Sequence, residues 1–130
     1  MKILIAEDDL TSRLFMKKYL SRFGKCDMVT NGIEAVDYVM NAINLGEPYD
    51  LICLDIMMPK VDGVKVLKAI RDLEAQNKVE QAQKSKIIMT TALGETQIVK
   101  TAFDYGCDAY ASKPIDISKL KEVLEKLEVI

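Results

Sequence analysis

Five short apolar runs recur along the chain, and each is followed by a stretch whose apolar residues return every three or four positions. The runs are Lys2 to Glu7, Asp27 to Thr30, Tyr49 to Asp55, Ile87 to Thr91 and Cys107 to Ala111. Their length suits strands, and the richness of the central run in Leu, Ile and Cys suits a strand covered on both faces of a parallel sheet. Between them the helical spacing is carried first by Leu14, Phe15, Tyr19, Leu20 and Phe23, with Thr11 or Ser12 as cap and Gly24 as stop. Asn31-Gly32 opens a second helix with Ile33, Val36, Val39, Met40 and Ile43 as its inner face, closed by Gly46 and Pro48. Val64, Leu67, Ile70 and Leu73 mark a third, which fades into a polar tract, Glu74 to Lys86, that is either an exposed extension of the helix or a loop. A fourth helix is expected from about Glu95 to Tyr105, ending at Gly106. The last presents Ile117, Leu120, Val123, Leu124 and Leu127, with Asp116 or Ser118 as cap.

Strands alternating with helices predict a doubly wound α/β domain with right-handed crossovers, one domain spanning residues 1–130. At 49% apolar and 29% charged residues the composition is that of a soluble globular protein. A net charge of -2, with Lys and Arg spread along the chain, gives no electrostatic reason to expect nucleic acid. The apolar stretch near the start, Ile3 to Ala6, is too short for a signal peptide or membrane span, so a cytoplasmic protein without membrane contact is expected. Cys26, Cys53 and Cys107 lie in or beside apolar segments and read as reduced, small hydrophobes. Histidine is absent, which removes His-based nucleophile pairs and His-ligated zinc and leaves carboxylates, hydroxyls and lysines for any chemistry.

With the common strand order 2-1-3-4-5, the carboxyl ends of the first and third strands meet where the winding reverses. Asp8, Asp9 and Asp55 then converge. Two carboxylates about 4 Å apart repel by roughly 4 kcal/mol at an effective dielectric near 20, and a hard divalent cation offers the compensation. Oxygen-only ligands select Mg²⁺ over zinc. Thr91 and Lys113, at the ends of the fourth and fifth strands, point into the same crevice. A carboxylate, a cation, a hydroxyl and a mobile ammonium are the parts needed to hold a phosphoryl group whose acceptor is the carboxylate itself.

Four motifs occur in order: Glu7-Asp8-Asp9, LDIMMPKVDG with Asp55, Thr91-Ala92 and Lys113-Pro114. Together they make the chain resemble, end to end, the receiver (response regulatory) domain of bacterial two-component response regulators, in its single-domain chemotaxis type with a flavodoxin-like (βα)5 fold. The resemblance implies a phosphorelay switch in which Asp55 accepts a phosphoryl group from a sensor histidine kinase or histidine phosphotransfer protein. It implies Mg²⁺ held by Asp9, Asp55 and the Met57 carbonyl, with Asp8 acting mainly through water. Thr91 and Lys113 would bind the phosphoryl oxygens, the Lys113-Pro114 peptide would be cis, and Tyr110 matches the switch aromatic. The polar tract after the third helix is several residues longer than usual for the family.

The expectation is a stand-alone switch, not an enzyme, whose output is binding of a downstream target protein through the fourth helix, fifth strand and fifth helix. A DNA-binding or catalytic effector beyond Ile130 is not expected. The alternative within the family is a receiver module cut from a longer response regulator or hybrid kinase. A Mg²⁺-dependent phosphohydrolase with an Asp nucleophile would need a second Asp two residues on, where Met57 stands and cannot transfer a proton. A flavodoxin-like electron carrier would need a hydroxyl-rich phosphate loop where the acids lie. Met57 and Leu93, two residues beyond the acceptor and the switch Thr, are apolar, and a long-lived phosphorylated form is expected from them.

Overall fold

In the computed structural model, which describes residues 1–92 and 96–130, the alternation is complete. The strands are β1 (Lys2–Ala6), β2 (Lys25–Val29), β3 (Leu51–Asp55), β4 (Lys86–Thr91) and β5 (Ala109–Ser112). The helices are α1 (Leu10–Leu20), α2 (Gly32–Asn44), α3 (Gly63–Gln76), α4 (Thr96–Asp104) and α5 (Ile117–Lys126). All strand pairings are parallel and the order is β2-β1-β3-β4-β5.

Alternate residues of the central strands feed two apolar layers. Leu4, Ile52, Leu54, Ile87 and Met89 pack with residues of α2, α3 and α4, while Ile3, Ile5, Leu51, Cys53 and Ile88 pack with α1 and α5. Most of these side chains are fully removed from water, each stabilising the fold by about 1.5–3 kcal/mol. They hold the strand ends rigidly.

Which stripe of each helix faces inward differs in part from the expectation. On α1, Tyr19 and Leu20 meet the sheet as expected and Met16 joins them, while Leu14 and Phe15 are 50% and 43% exposed. On α2, Ile33 and Met40 are exposed and the small residues Ala35 and Ala42 join Val39 inside. α2 starts in close contact with its neighbours: a Cβ on Gly32 would meet Val61 O and Val66 Cγ2, each at 2.6 Å. The cap of α1 is Asp9, whose carboxylate accepts from Ser12 N at 2.8 Å, and the cap of α5 is Asp116. β5 begins at Ala109, later than the apolar run, because Cys107 N is still engaged by Ala102 O at the end of α4.

The polar tract is part helix and part loop. α3 continues to Gln76, a 3-10 turn covers Gln81–Gln83, and Lys86 starts β4. Its anchor is Glu74, 2% exposed, which accepts from Arg71 Nη1 at 2.7 Å and Ser85 N at 2.9 Å. Arg71 also donates to Gly106 O, Ser85 O and Asp108 Oδ2, tying α3 to the start of β4 and the turn before β5.

A crevice of carboxylates at the sheet's switch point

β1 is bonded to β2 on one side and β3 on the other, so the chain leaves it in opposite directions and a crevice opens beyond β1 and β3. Asp55 ends β3 opposite Thr90 of β4 and is buried. Its Oδ1 accepts from Met57 N at 3.2 Å and its Oδ2 from Lys113 Nζ at 3.0 Å. Gly63 lets α3 start directly beside it, since a Cβ there would collide with the Asp55 carbonyl and Ile56 Cα, and Gly63 N donates to Ile56 O at 2.7 Å.

The acids after β1 divide their work. Glu7 is buried, and its Oε1 lies 2.6 Å from Lys113 Nζ. Ligand oxygens of Glu7, Asp8 and Asp55 all lie within 4.8 Å of one another. Asp9, expected among the metal ligands, is not in that group. Its exposed carboxylate is spent on the first turn of α1, and the Ser12 N–H holds it below the usual carboxylate range. Glu7 was visible as part of the motif but carried no assigned role. The cue that separates the three acids is the helix start: an Asp three residues before Ser12 fits an N-cap, which leaves Glu7 and Asp8 for the crevice.

Lys113 occupies the place of a shared counterion. Burial works against its charge, but the hydrogen bonds and charges of Glu7 and Asp55 outweigh burial and hold the ammonium above the ordinary lysine range. Burial also lifts Glu7 above the usual carboxylate range, Asp55 adds to the effect, and Lys113 opposes it. The Lys113-Pro114 bond is cis.

Thr91 is buried at the end of β4, opposite Ser112, and its hydroxyl donates to Ala92 O at 3.2 Å. Met57 is 61% exposed at the mouth of the crevice. Tyr110 lies on β5 with its ring outward, 46% exposed and edge-on to Phe103 at 6.1 Å between centroids. Leu93 lies outside the described residues.

A doubly wound α/β domain with acids and a lysine gathered at its switch point places the chain among α/β proteins whose ligand crevice is lined by carboxylates. Residues 3–125 match the response regulator receiver domain family, and the chain belongs to it. Among its relatives, chemotaxis protein CheY of Bacillus subtilis is 31% identical over 130 residues, covering 96% of this chain and 95% of CheY. The osmosensing histidine protein kinase SLN1 of Saccharomyces cerevisiae is 33% identical over 125 residues, covering 95% of this chain but 10% of the kinase. Among solved structures, the receiver domain of the Saccharomyces cerevisiae response regulator Ssk1, crystallised with the histidine phosphotransfer protein Ypd1, aligns with a TM-score of 0.81 at 26% identity, covering 100% of this chain and 92% of that one. The family's members are phosphoryl-accepting signalling switches of two-component phosphorelays. No helix among the described residues is long and apolar enough to cross a membrane.

Proposed function

We propose that Asp55 accepts a phosphoryl group from a phosphohistidine of a sensor kinase or histidine phosphotransfer protein, with Mg²⁺ bound beside it. The observation that carries this is the buried Asp55 carboxylate, set on a rigid strand end between an ammonium and two further acids. One Asp55 oxygen bonds to phosphorus as the bond from phosphorus to the imidazole nitrogen breaks, and the electron pair returns to the ring. Lys113 Nζ and the Thr91 hydroxyl receive the phosphoryl oxygens, and Lys113 reaches them by leaving its place between Glu7 and Asp55.

The donor set fits Mg²⁺: it is all oxygen, it is crowded with negative charge, and a cationic group already stands among the acids. Asp8, Asp55 and the Met57 carbonyl hold the ion, and Glu7 acts through water. Bound there, Mg²⁺ neutralises charge on the transferring group. Asp9 keeps its role as helix cap. Leu10, Leu14 and Phe15, exposed on the helix that starts directly after the acids, supply an apolar surface against which the histidine-bearing partner docks.

The output is altered binding of a downstream protein at α4, β5 and α5, with Thr91 and Tyr110 transmitting the change. The protein works as a switch and not as an Asp-nucleophile phosphohydrolase, because Met57 offers no proton to a leaving group. Incubation with a small acyl phosphate and Mg²⁺ tests the chemistry. Intact mass should rise by one phosphoryl group in the parent and stay unchanged in Asp55→Asn. Equal labelling of the two would overturn the assignment.

A further inference from the structure

Arg13 sits on the second turn of α1 and closes on three consecutive carbonyls of the acid turn. Its Nη1 donates to Glu7 O at 3.0 Å and to Asp8 O at 3.3 Å, and its backbone N donates to Asp9 O at 2.9 Å. The turn it grips needs gripping. Glu7 N is bonded to Val29 O and Ser12 N to the Asp9 carboxylate, so both flanks are fixed, but Asp8 between them is exposed. Its carboxylate stands near those of Glu7 and Asp55. Mutual repulsion among these groups favours any rotation of the Glu7-Asp8 peptides that carries Asp8 away from the crevice. A guanidinium bonded to the carbonyls on both sides of the Asp8 nitrogen and α-carbon opposes that rotation.

We infer that Arg13 is a positioning residue for the metal site: by holding the Glu7 and Asp8 carbonyls it aims the Asp8 carboxylate at Asp55. The inference rests on the reading of Asp8 and Asp55 as Mg²⁺ ligands. Arg13 does not fill the core, since it is only half-buried on the helix surface, and it touches neither the ion nor the phosphoryl group. Its charge and its geometry act in opposite senses. A nearby positive charge repels a cation, whereas a fixed acid turn spares Mg²⁺ the cost of ordering its ligand. Lysine separates the two effects, because it keeps the charge but its shorter stem and freely turning ammonium do not hold one nitrogen fixed against both carbonyls as the planar guanidinium does.

The experiment is a calorimetric Mg²⁺ titration of the parent, Arg13→Lys and Asp8→Asn, with thermal melts of each in the absence of metal. Groups that orient metal ligands typically account for 10- to 100-fold in affinity, and for these partly exposed contacts Arg13→Lys should weaken Mg²⁺ binding about tenfold. Its metal-free melting midpoint should move by less than about 3 °C, the shift of a minor stability change in a chain of this size. Asp8→Asn should lose Mg²⁺ binding by more than Arg13→Lys does. If Asp8→Asn loses affinity while Arg13→Lys binds as the parent does, the role given to Arg13 is wrong and the metal-site reading stands. If Asp8→Asn also binds as the parent does, the metal-site reading fails and takes the inference with it. A fall in melting midpoint with unchanged affinity in Arg13→Lys would show a structural role only.

Discussion

Replacing Lys113 with Met removes the cation that Glu7 and Asp55 share, at 2.6 Å and 3.0 Å, while keeping most of the side-chain volume. Breaking a buried ion pair by removing one partner typically costs about 3–5 kcal/mol. Here proton uptake limits the loss. Glu7, a carboxyl whose ordinary pKa is 4.5, is already raised by burial, so once its cation is gone it takes a proton as soon as that is the cheaper course. Neutralising it at pH 7 costs about 3.4 kcal/mol, at 1.36 kcal/mol for each pH unit between 4.5 and 7, and the Glu7 part of the loss cannot exceed this. The sign follows from linkage. A carboxylate whose folded pKa is raised binds protons more tightly in the native state, so the parent loses some stability as pH rises above 4.5, and the variant loses more because Lys113 no longer holds Glu7 down. Lys113 in the parent, itself raised, contributes fully throughout this range because its stabilisation is lost only as pH climbs through its folded pKa. Urea denaturation without metal should therefore show Lys113→Met falling behind the parent, from a small deficit at pH 4.5 to about 3 kcal/mol at pH 7. Saturating Mg²⁺ should narrow the gap, since the ion replaces the lost charge and its binding energy adds to stability. A deficit that does not change between pH 4.5 and 7, or that Mg²⁺ leaves untouched, would refute the shared-counterion account.

Glu74→Ala should destabilise the protein by about 3 kcal/mol in the same assay, because it orphans the Ser85 N–H and strips Arg71 of one partner, while phosphoryl acceptance at the other end of the sheet is unaffected. Met57→Asn should speed loss of the phosphoryl group after the donor is removed, since an amide can orient the attacking water and a thioether cannot; decay as slow as the parent's would show that Met57 does not set the lifetime. Burial pushes the Cys53 thiol up to about 12 and the Cys107 thiol up to about 11. At pH 8 both should resist alkylation in the folded protein and react in urea, as followed by mass.

The strands that place the site were legible because β1, β3 and β4 are buried on both faces, and burial on both faces leaves an unbroken apolar run. β5 is an edge strand of half-buried pattern, and its boundary drifted by two residues because Cys107 is apolar for the sake of the α4 turn. The helices carried apolar residues on two stripes, and periodicity alone does not say which stripe meets the sheet. On α1 the outward stripe carries Leu14 and Phe15. Asp55, Lys113 and the crevice itself followed from topology. The division among Glu7, Asp8 and Asp9 did not, because three adjacent acids look alike until the helix start assigns one of them to the cap. Glu74 was hidden for another reason: a lone acid in a polar tract gives no sign that an arginine three residues earlier and a backbone N–H eleven residues later will enclose it.

The central claim is that phosphorus ends on the Asp55 carboxylate, and locating the modified residue tests it most directly. Hydride reduction of an aspartyl phosphate yields homoserine, which peptide mass mapping finds by position. After transfer from a phosphorylated histidine phosphotransfer protein in the presence of Mg²⁺, homoserine should appear at position 55 alone, and it should be absent when the ion is chelated. Homoserine at position 8 or 9, or a phosphate on Thr91 that survives reduction, would contradict the account.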